Sequence, residues 1–201
     1  MPGPLDLYLA STSPRRSQLL AQAGIRFELC APGPEYEGGG SDHDHGETGD
    51  PATLAMVRAR RKAWWANAAD LELPVLGVDT VVDLDGKELG KPLDRAAAAE
   101  MLARLAGRTH RVHTAHCLAL RKHGRSYESL STAVVECRTP TPAELARYLD
   151  GGEWQGKAGS YGLQDGTQSF LTLVSGSFDT VVGLHVIAVR ILLRSVQREP
   201  R

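Results

Sequence analysis

Residues 7–24 read LYLASTSPRRSQLLAQAG. Leu7 to Ala10 is a short apolar run, which predicts a buried strand. Ser13 suits a helix N-cap, and Pro14 suits the first helical position, where its missing N–H would be unbonded anyway. Leu19, Leu20 and Ala23 recur at helical spacing, and Gly24 can close the helix. The stretch therefore reads strand, tight turn, helix.

The same grammar recurs downstream. Asp50-Pro51 starts a second helix by the same cap logic. Residues 74–84 read as a buried strand, and Asp85-Gly86 is a two-residue hairpin signal with Lys87-Glu88-Leu89 returning. A third helix runs from Asp94 to about Ala106, with Ala98, Met101, Leu102 and Leu105 on one face. Thr109–Leu120 and Tyr127–Arg138 read as strands joined by a turn at His123-Gly124. Thr141-Pro142-Ala143-Glu144 is a capping box opening a helix that ends near Gly151. Gln168–Val174 reads as a strand, Ser175-Gly176 as a turn, and a last helix starts near Asp179. No internal repeat is visible. Strands and helices mix without strict alternation, which predicts an α/β protein built on a mixed sheet rather than a doubly wound parallel one.

Composition narrows the function classes. The 201 residues carry 23 Lys+Arg against 24 Asp+Glu, a net charge of −1. That balance argues against bulk nucleic-acid binding, which rests on neutralised phosphates. At 5% aromatic residues, stacking platforms for single strands are not expected. Hydrophobic residues make up 42%, enough to bury a core. No apolar run approaches the ~18 residues of a membrane span. The start shows no basic segment followed by an apolar stretch, so no signal peptide is expected. Cys30, Cys117 and Cys137 form no CxxC pair. A cytoplasmic protein with reduced thiols is the expectation.

Five places could carry chemistry. Ser11 to Arg16 feeds a helix N-terminus, where free N–H groups, Ser11, Ser13, Arg15 and Arg16 would make an anion cradle. The alternative is a capped helix with two solvated arginines. Arg58, Arg61 and Lys62 share a helical face, which is either a solvated stripe or part of the same cleft. Asp79, followed by Thr80, sits in the strand expected to be buried. A buried carboxylate must be paired, hold a metal or act as a base, whereas a strand-edge Asp could simply face water. Gly90-Lys91-Pro92 pins a lysine between a permissive and a rigid residue. Lys157 to Gln164 is a glycine-rich loop whose Gln164 can read a base edge. Gly77, Gly90, Gly159 and Gly162 mark places where backbone would line a cleft. His110, His113 and His116 alternate faces on a strand and cannot all converge on one metal. His43 and His45 fall in a glycine- and histidine-rich loop, read as flexible over about residues 38–49.

Taken together, these segments resemble the Maf family, also called Maf-like or septum-formation nucleotide pyrophosphatases. The resemblance covers nearly the whole chain. It rests on SxSPRR, GxDTxV, GKP and KAGxYGxQ elements in this order, here at Ser11–Arg16, Gly77–Val81, Gly90–Pro92 and Lys157–Gln164. It implies one domain over residues 1–201 with a two-lobed fold around a deep central cleft, similar to the inosine-triphosphate pyrophosphatases. It also implies hydrolysis of nucleoside triphosphates between the α- and β-phosphates, a divalent cation (Mg2+ or Mn2+), and a homodimer. By the same resemblance Asp79 is the catalytic acid/base and a metal ligand. Arg15, Arg16, Lys62, Lys91 and Lys157 would bind substrate with Ser11 and Ser13. Arg15, Thr80 and Gln164 would set specificity. The Asp-Thr pair and the KAGxYGxQ loop look like the branch that prefers dTTP and UTP, with modified pyrimidine nucleotides as further substrates. After Phe27 the family usually shows adjacent acidic residues, whereas this chain has Glu35-Tyr36-Glu37. Either Glu35 or Glu37 is then the second metal ligand. His185 stands where the final helix of the family usually has proline. Two rivals stay open: a 7-methyl-GTP pyrophosphatase of the same family, and a nucleotide-binding regulator of cell division without turnover.

Overall fold

The computed structural model describes residues 4–34 and 49–197. Leu7–Ala10 forms β1 and Pro14–Gln22 forms α1, as the opening stretch predicts. Phe27–Cys30 follows as β2, Pro51–Trp64 as α2, Val75–Leu84 as β3 and Lys87–Leu89 as β4. Arg95–Leu105 is α3, Arg108–Leu120 β5, Arg125–Cys137 β6 and Pro142–Asp150 α4. Leu171–Ser175 is β7, Phe178–Val182 α5 and Val186–Gln197 α6. The strands form one mixed seven-stranded sheet in the order β2-β1-β3-β5-β6-β7, with β4 pairing to β3. β1 lies parallel to β2 and β3, and the remaining pairings are antiparallel.

The two faces of β3 pack differently. On one face α2 lays Ala55, Ala59 and Ala63 against Val81, Ala115 and Cys117. Small residues let the helix approach closely. A Cβ on Gly77 would come within 2.2 Å of the Ala59 carbonyl oxygen. Gly77 therefore serves helix-to-strand packing and does not line a cleft, contrary to the expectation from composition. The other face carries two separate apolar clusters. One joins Leu76 and Val78 to Leu7, Leu9, Leu20 and Val189. The second joins Val82 and Leu84 to Leu102, Leu105, Tyr148 and Phe170. Each buried Leu or Phe contributes on the order of 1.5–3 kcal/mol. Thr80 falls between the two clusters.

Three elements differ from the sequence expectation. β2 was not expected. It is a four-residue edge strand whose outer side is exposed at Leu29, so it shows no alternation, and pairing to β1 supplies its order. β7 starts at Leu171 instead of Gln168, because the Gln168 side chain turns back and its Oε1 accepts the Leu171 N–H at 3.0 Å. The last helix is two helices. Gly183 at φ 122° breaks the chain, and Asp179 Oδ2 accepts the Val186 N–H at 2.8 Å, capping α6 across the break.

Asp50, Asp94 and Thr141 each cap a helix through the side chain, whereas Ser13 does not. Asp50 accepts from Ala52 and Thr53 N–H, both at 3.1 Å, and Thr141 and Glu144 form the full capping box. Ser13 occupies the N-cap position of α1 without a side-chain cap bond. Its own N–H instead donates to Ser11 Oγ at 3.1 Å.

Candidate functional site

The register of β3 locates the site. One edge of β3 pairs with β5 along its length, from Val75 to Asp83. The other edge pairs with β1 only up to Gly77 and with β4 only from Val82. Val78–Val81 therefore has no ladder partner on that side among the described residues. The chain leaving β1 carries Ser11–Arg16, and the chain leaving β4 carries Gly90-Lys91, so both loops flank this gap. A change in strand direction of this kind is a standard place for a ligand crevice in open sheets.

A cleft opens there. Ser13, Arg15, Arg16, Thr80, Lys91, Lys157 and Gln164 all line it. These are seven of the ten residues singled out as substrate-binding or catalytic, drawn from four separate segments. The bonds that hold Arg16 include Nε donating to the Gly183 carbonyl at 2.9 Å, Nη1 to Ser11 Oγ at 3.2 Å and Nη2 to Thr80 Oγ1 at 3.3 Å. Ser11 is thus buried beside the cleft as a support for Arg16 and for the Ser13 turn. Lys91 and Gln164 are exposed at the rim. The lining also includes aliphatic side chains that the sequence reading did not select: Val82, Val112, Val181 and Val182. Strand alternation places Val82 on the same face as Thr80.

Lys62 and Asp79 meet on the opposite face of β3. Lys62 Nζ lies 2.7 Å from Asp79 Oδ1, and both side chains are less than a tenth exposed. Arg58, one turn earlier on α2, pairs with Glu88 through two hydrogen bonds of 2.6 and 2.9 Å. The stripe on α2 is therefore not a solvated face at Arg58 and Lys62. Asp79 is not a strand-edge carboxylate in water. Its second oxygen, Oδ2, is buried and has no hydrogen-bond partner among the described residues. A buried carboxylate oxygen left bare is costly unless a ligand completes it. Glu35, Glu37, His43, His45 and the loop of about residues 38–49 lie outside the described residues, apart from Gly49. Among the described residues no cluster of three His, Cys, Asp or Glu side chains could hold a metal. His110, His113 and His116 indeed take separate partners: Tyr161, Asp83 with Thr132, and Ser129 with His185.

The 157–164 loop has a support that sequence reasoning missed. Asp165 is buried and gathers three groups from it and around it. Lys157 Nζ pairs with Oδ1, while the Tyr148 hydroxyl and the Gly162 N–H donate to Oδ2 at 2.7 and 2.8 Å. Gly159 and Ser160 are both left-handed, at φ 68° and 66°. Gly159 N–H donates to the Gly90 carbonyl at 2.9 Å, tying this loop to the one that carries Lys91. Tyr161, which lines the cleft, is anchored beneath it by a 2.5 Å contact between its hydroxyl and His110 Nε2. Burial pushes His110 down to about 4, so its imidazole is neutral at pH 7. An Asp just after a glycine-rich loop was the available signal for Asp165. Nothing local marked His110, because its partner is 51 residues away.

No helix among the described residues is long and apolar enough to cross a membrane. A family model described as Maf-like protein matches residues 6–196. A Bordetella pertussis protein named dTTP/UTP pyrophosphatase is 43% identical over 194 residues, covering 96% of this chain and 93% of that protein. An Escherichia coli O6:K15:H31 protein of the same name is 41% identical over 188 residues, covering 94% of this chain and 91% of that protein. With the cleft built from the SxSPRR, GxDT, GKP and KAGxYGxQ segments, this match over nearly all residues means that the chain belongs to the family of Maf-like proteins.

Proposed function

We propose that this protein is a nucleoside triphosphate pyrophosphatase acting on dTTP and UTP, cleaving the α–β phosphoanhydride to give monophosphate and pyrophosphate. The observation that carries the reading is the convergence of Arg15, Arg16, Lys91 and Lys157 with Gln164 on one cleft. Similarity to proteins named dTTP/UTP pyrophosphatase supports the choice of nucleotide.

Phosphoanhydride cleavage needs positive charge on the phosphate oxygens and a positioned water, with little covalent chemistry from the protein. Arginine forks at Arg15 and Arg16 suit phosphate oxygens, and the lysines add point charges. Lys62 fixes Asp79 Oδ1 and leaves Oδ2 as the oxygen for chemistry. There it accepts a proton from the attacking water, or it serves as a cation ligand. A divalent cation, Mg2+ or Mn2+, fits such a site. Mg2+ is commonly held by one or two carboxylates together with substrate phosphates. Asp79 would hold it together with Glu35 or Glu37, and it would neutralise charge on the triphosphate. Gln164, at the rim, offers both a donor and an acceptor to the base. A single Maf-like unit over residues 1–201 working as a cytoplasmic homodimer belongs to the same reading, and sedimentation of the purified chain tests the dimer.

The direct test is to incubate the protein with dTTP and Mg2+ and resolve the products. dTMP and pyrophosphate are expected. dTDP and orthophosphate would overturn the bond assignment, and tight binding without turnover under any metal would overturn the enzyme.

A further inference from the structure

We propose that Thr114 is a positioning residue that fixes the hydrogen-bond polarity of Thr80, so that the cleft reads the imide N3–H shared by uracil and thymine. The inference rests on the pyrophosphatase reading above and extends it to a residue outside all four motifs.

A threonine hydroxyl has one hydrogen and two lone pairs. Thr114 is fully buried on β5, directly opposite Thr80 in the ladder. Its Oγ1 lies 2.7 Å from the Thr180 carbonyl oxygen, which can only accept, so Thr114 spends its single hydrogen there. Its contact with Thr80 Oγ1 at 3.0 Å must then be donated by Thr80. Arg16 Nη2 donates to Thr80 Oγ1 at 3.3 Å. The chain of bonds runs one way, from Arg16 to Thr80 to Thr114 to the Thr180 carbonyl. Thr80 is left with a lone pair and no hydrogen for a ligand.

That polarity selects what Thr80 can meet. Phosphate oxygens are acceptors and gain nothing from an acceptor. A donor is required, and the surrounding cleft wall of Val82, Val112, Val181 and Val182 fits the flat ring of a base. Uracil and thymine present a donor at N3, whereas cytosine presents an acceptor at the same place. Ribose hydroxyls are donors as well, and methylation at N3 separates the two.

The experiment compares kcat/KM for UTP, CTP and 3-methyluridine triphosphate. In the wild-type protein, CTP and the N3-methyl substrate are expected to fall at least about 100-fold below UTP, because each covers the Thr80 acceptor without supplying a donor. Thr114→Val frees the Thr80 hydrogen to turn into the cleft and serve cytosine N3. The UTP:CTP ratio is expected to contract by about tenfold or more, and Thr114→Ser, which keeps the hydroxyl, is expected to restore it. A purely structural role would lower both substrates together and leave the ratio alone. Equal use of UTP and 3-methyluridine triphosphate by the wild-type protein would overturn the inference without any variant, and so would an unchanged ratio in a folded Thr114→Val protein. Failure to turn over UTP and dTTP at all would strike the pyrophosphatase reading instead.

Discussion

Asp79 and Thr80 are neighbours in sequence and look in opposite directions. Asp79 faces α2, where Lys62 pairs with it inside a layer packed by alanines. Thr80 faces the cleft, where cations surround open space and a hydroxyl relay runs inward. The difference shows how one strand separates two tasks by its two-residue period. On the α2 side charge is matched with charge and little room remains, which suits a group that must be held in place. On the cleft side Arg15, Arg16, Lys91 and Lys157 converge on one open volume, with Lys157 steadied by Asp165 and Arg16 by Ser11, Thr80 and the Gly183 carbonyl. That convergence is what an incoming polyanion would meet.

The sharpest way to break this division is at Asp79. Asp79→Asn is expected to lower kcat by about 1,000-fold while nucleotide affinity, measured by calorimetric titration, stays near the wild-type value. Near-normal turnover would move the chemistry off the α2 face altogether. Lys62→Met tests the same face through stability. It removes one partner of a buried pair and is expected to cost about 3–5 kcal/mol in chemical denaturation, because the Asp79 carboxylate stays buried without its cation. A loss under about 1 kcal/mol would show that the pair is effectively solvated.

Acid tests the other face. His110 and His116 share the Thr80 side of β5, and burial pushes both down to about 4. The unfolded chain takes up protons near pH 6.5 that the folded chain refuses until about pH 4. Stability is therefore full above about pH 7 and is lost as pH falls from about 6.5 to about 4, by up to about 3 kcal/mol per imidazole. Urea denaturation at pH 7 and pH 5 measures it, and a flat result would mean that these rings are accessible. The smallest effect is expected at the rim. Lys91 is exposed, so Lys91→Ala should raise KM by about tenfold and leave the melting temperature unchanged. A shift in kcat without KM would instead place Lys91 at the transition state.

Much of this was legible in the chain. Asp50-Pro51, Asp85-Gly86 and Thr141 to Glu144 each announce a local structure through short-range chemistry, and each forms as read. The cleft residues were legible as motifs, and their grouping was expected from the family resemblance, but the placement of Lys62 and Asp79 on the opposite face of β3 was not. Adjacent residues of a strand take opposite faces, but the sequence reading treated Asp79 and Thr80 as one place, and only the pairing of β3 with β5 and the position of α2 separate them. β2 and the break at Gly183 escaped for a related reason. The first is ordered by a neighbouring strand and the second by a carboxylate seven residues from the N–H it caps. His185 is instructive here. Its backbone N–H donates to His116 Nε2 at 3.0 Å, a bond that the proline expected there could not make. The substitution therefore ties the start of α6 to β5.

The unpaired edge of β3 has one more consequence. A bare strand edge invites another chain to add itself, and long ones are aggregation sites. Here β1 and β4 close on both sides of Val78–Val81 and leave only four residues without a ladder partner on that side among the described residues. A window that short, with Ser11 and Gly90 at its borders, admits a small molecule but gives a foreign strand no length over which to zip. The unpaired stretch is thus too short, and at Val78 and Val81 too deeply buried, to offer a foreign chain a strand edge.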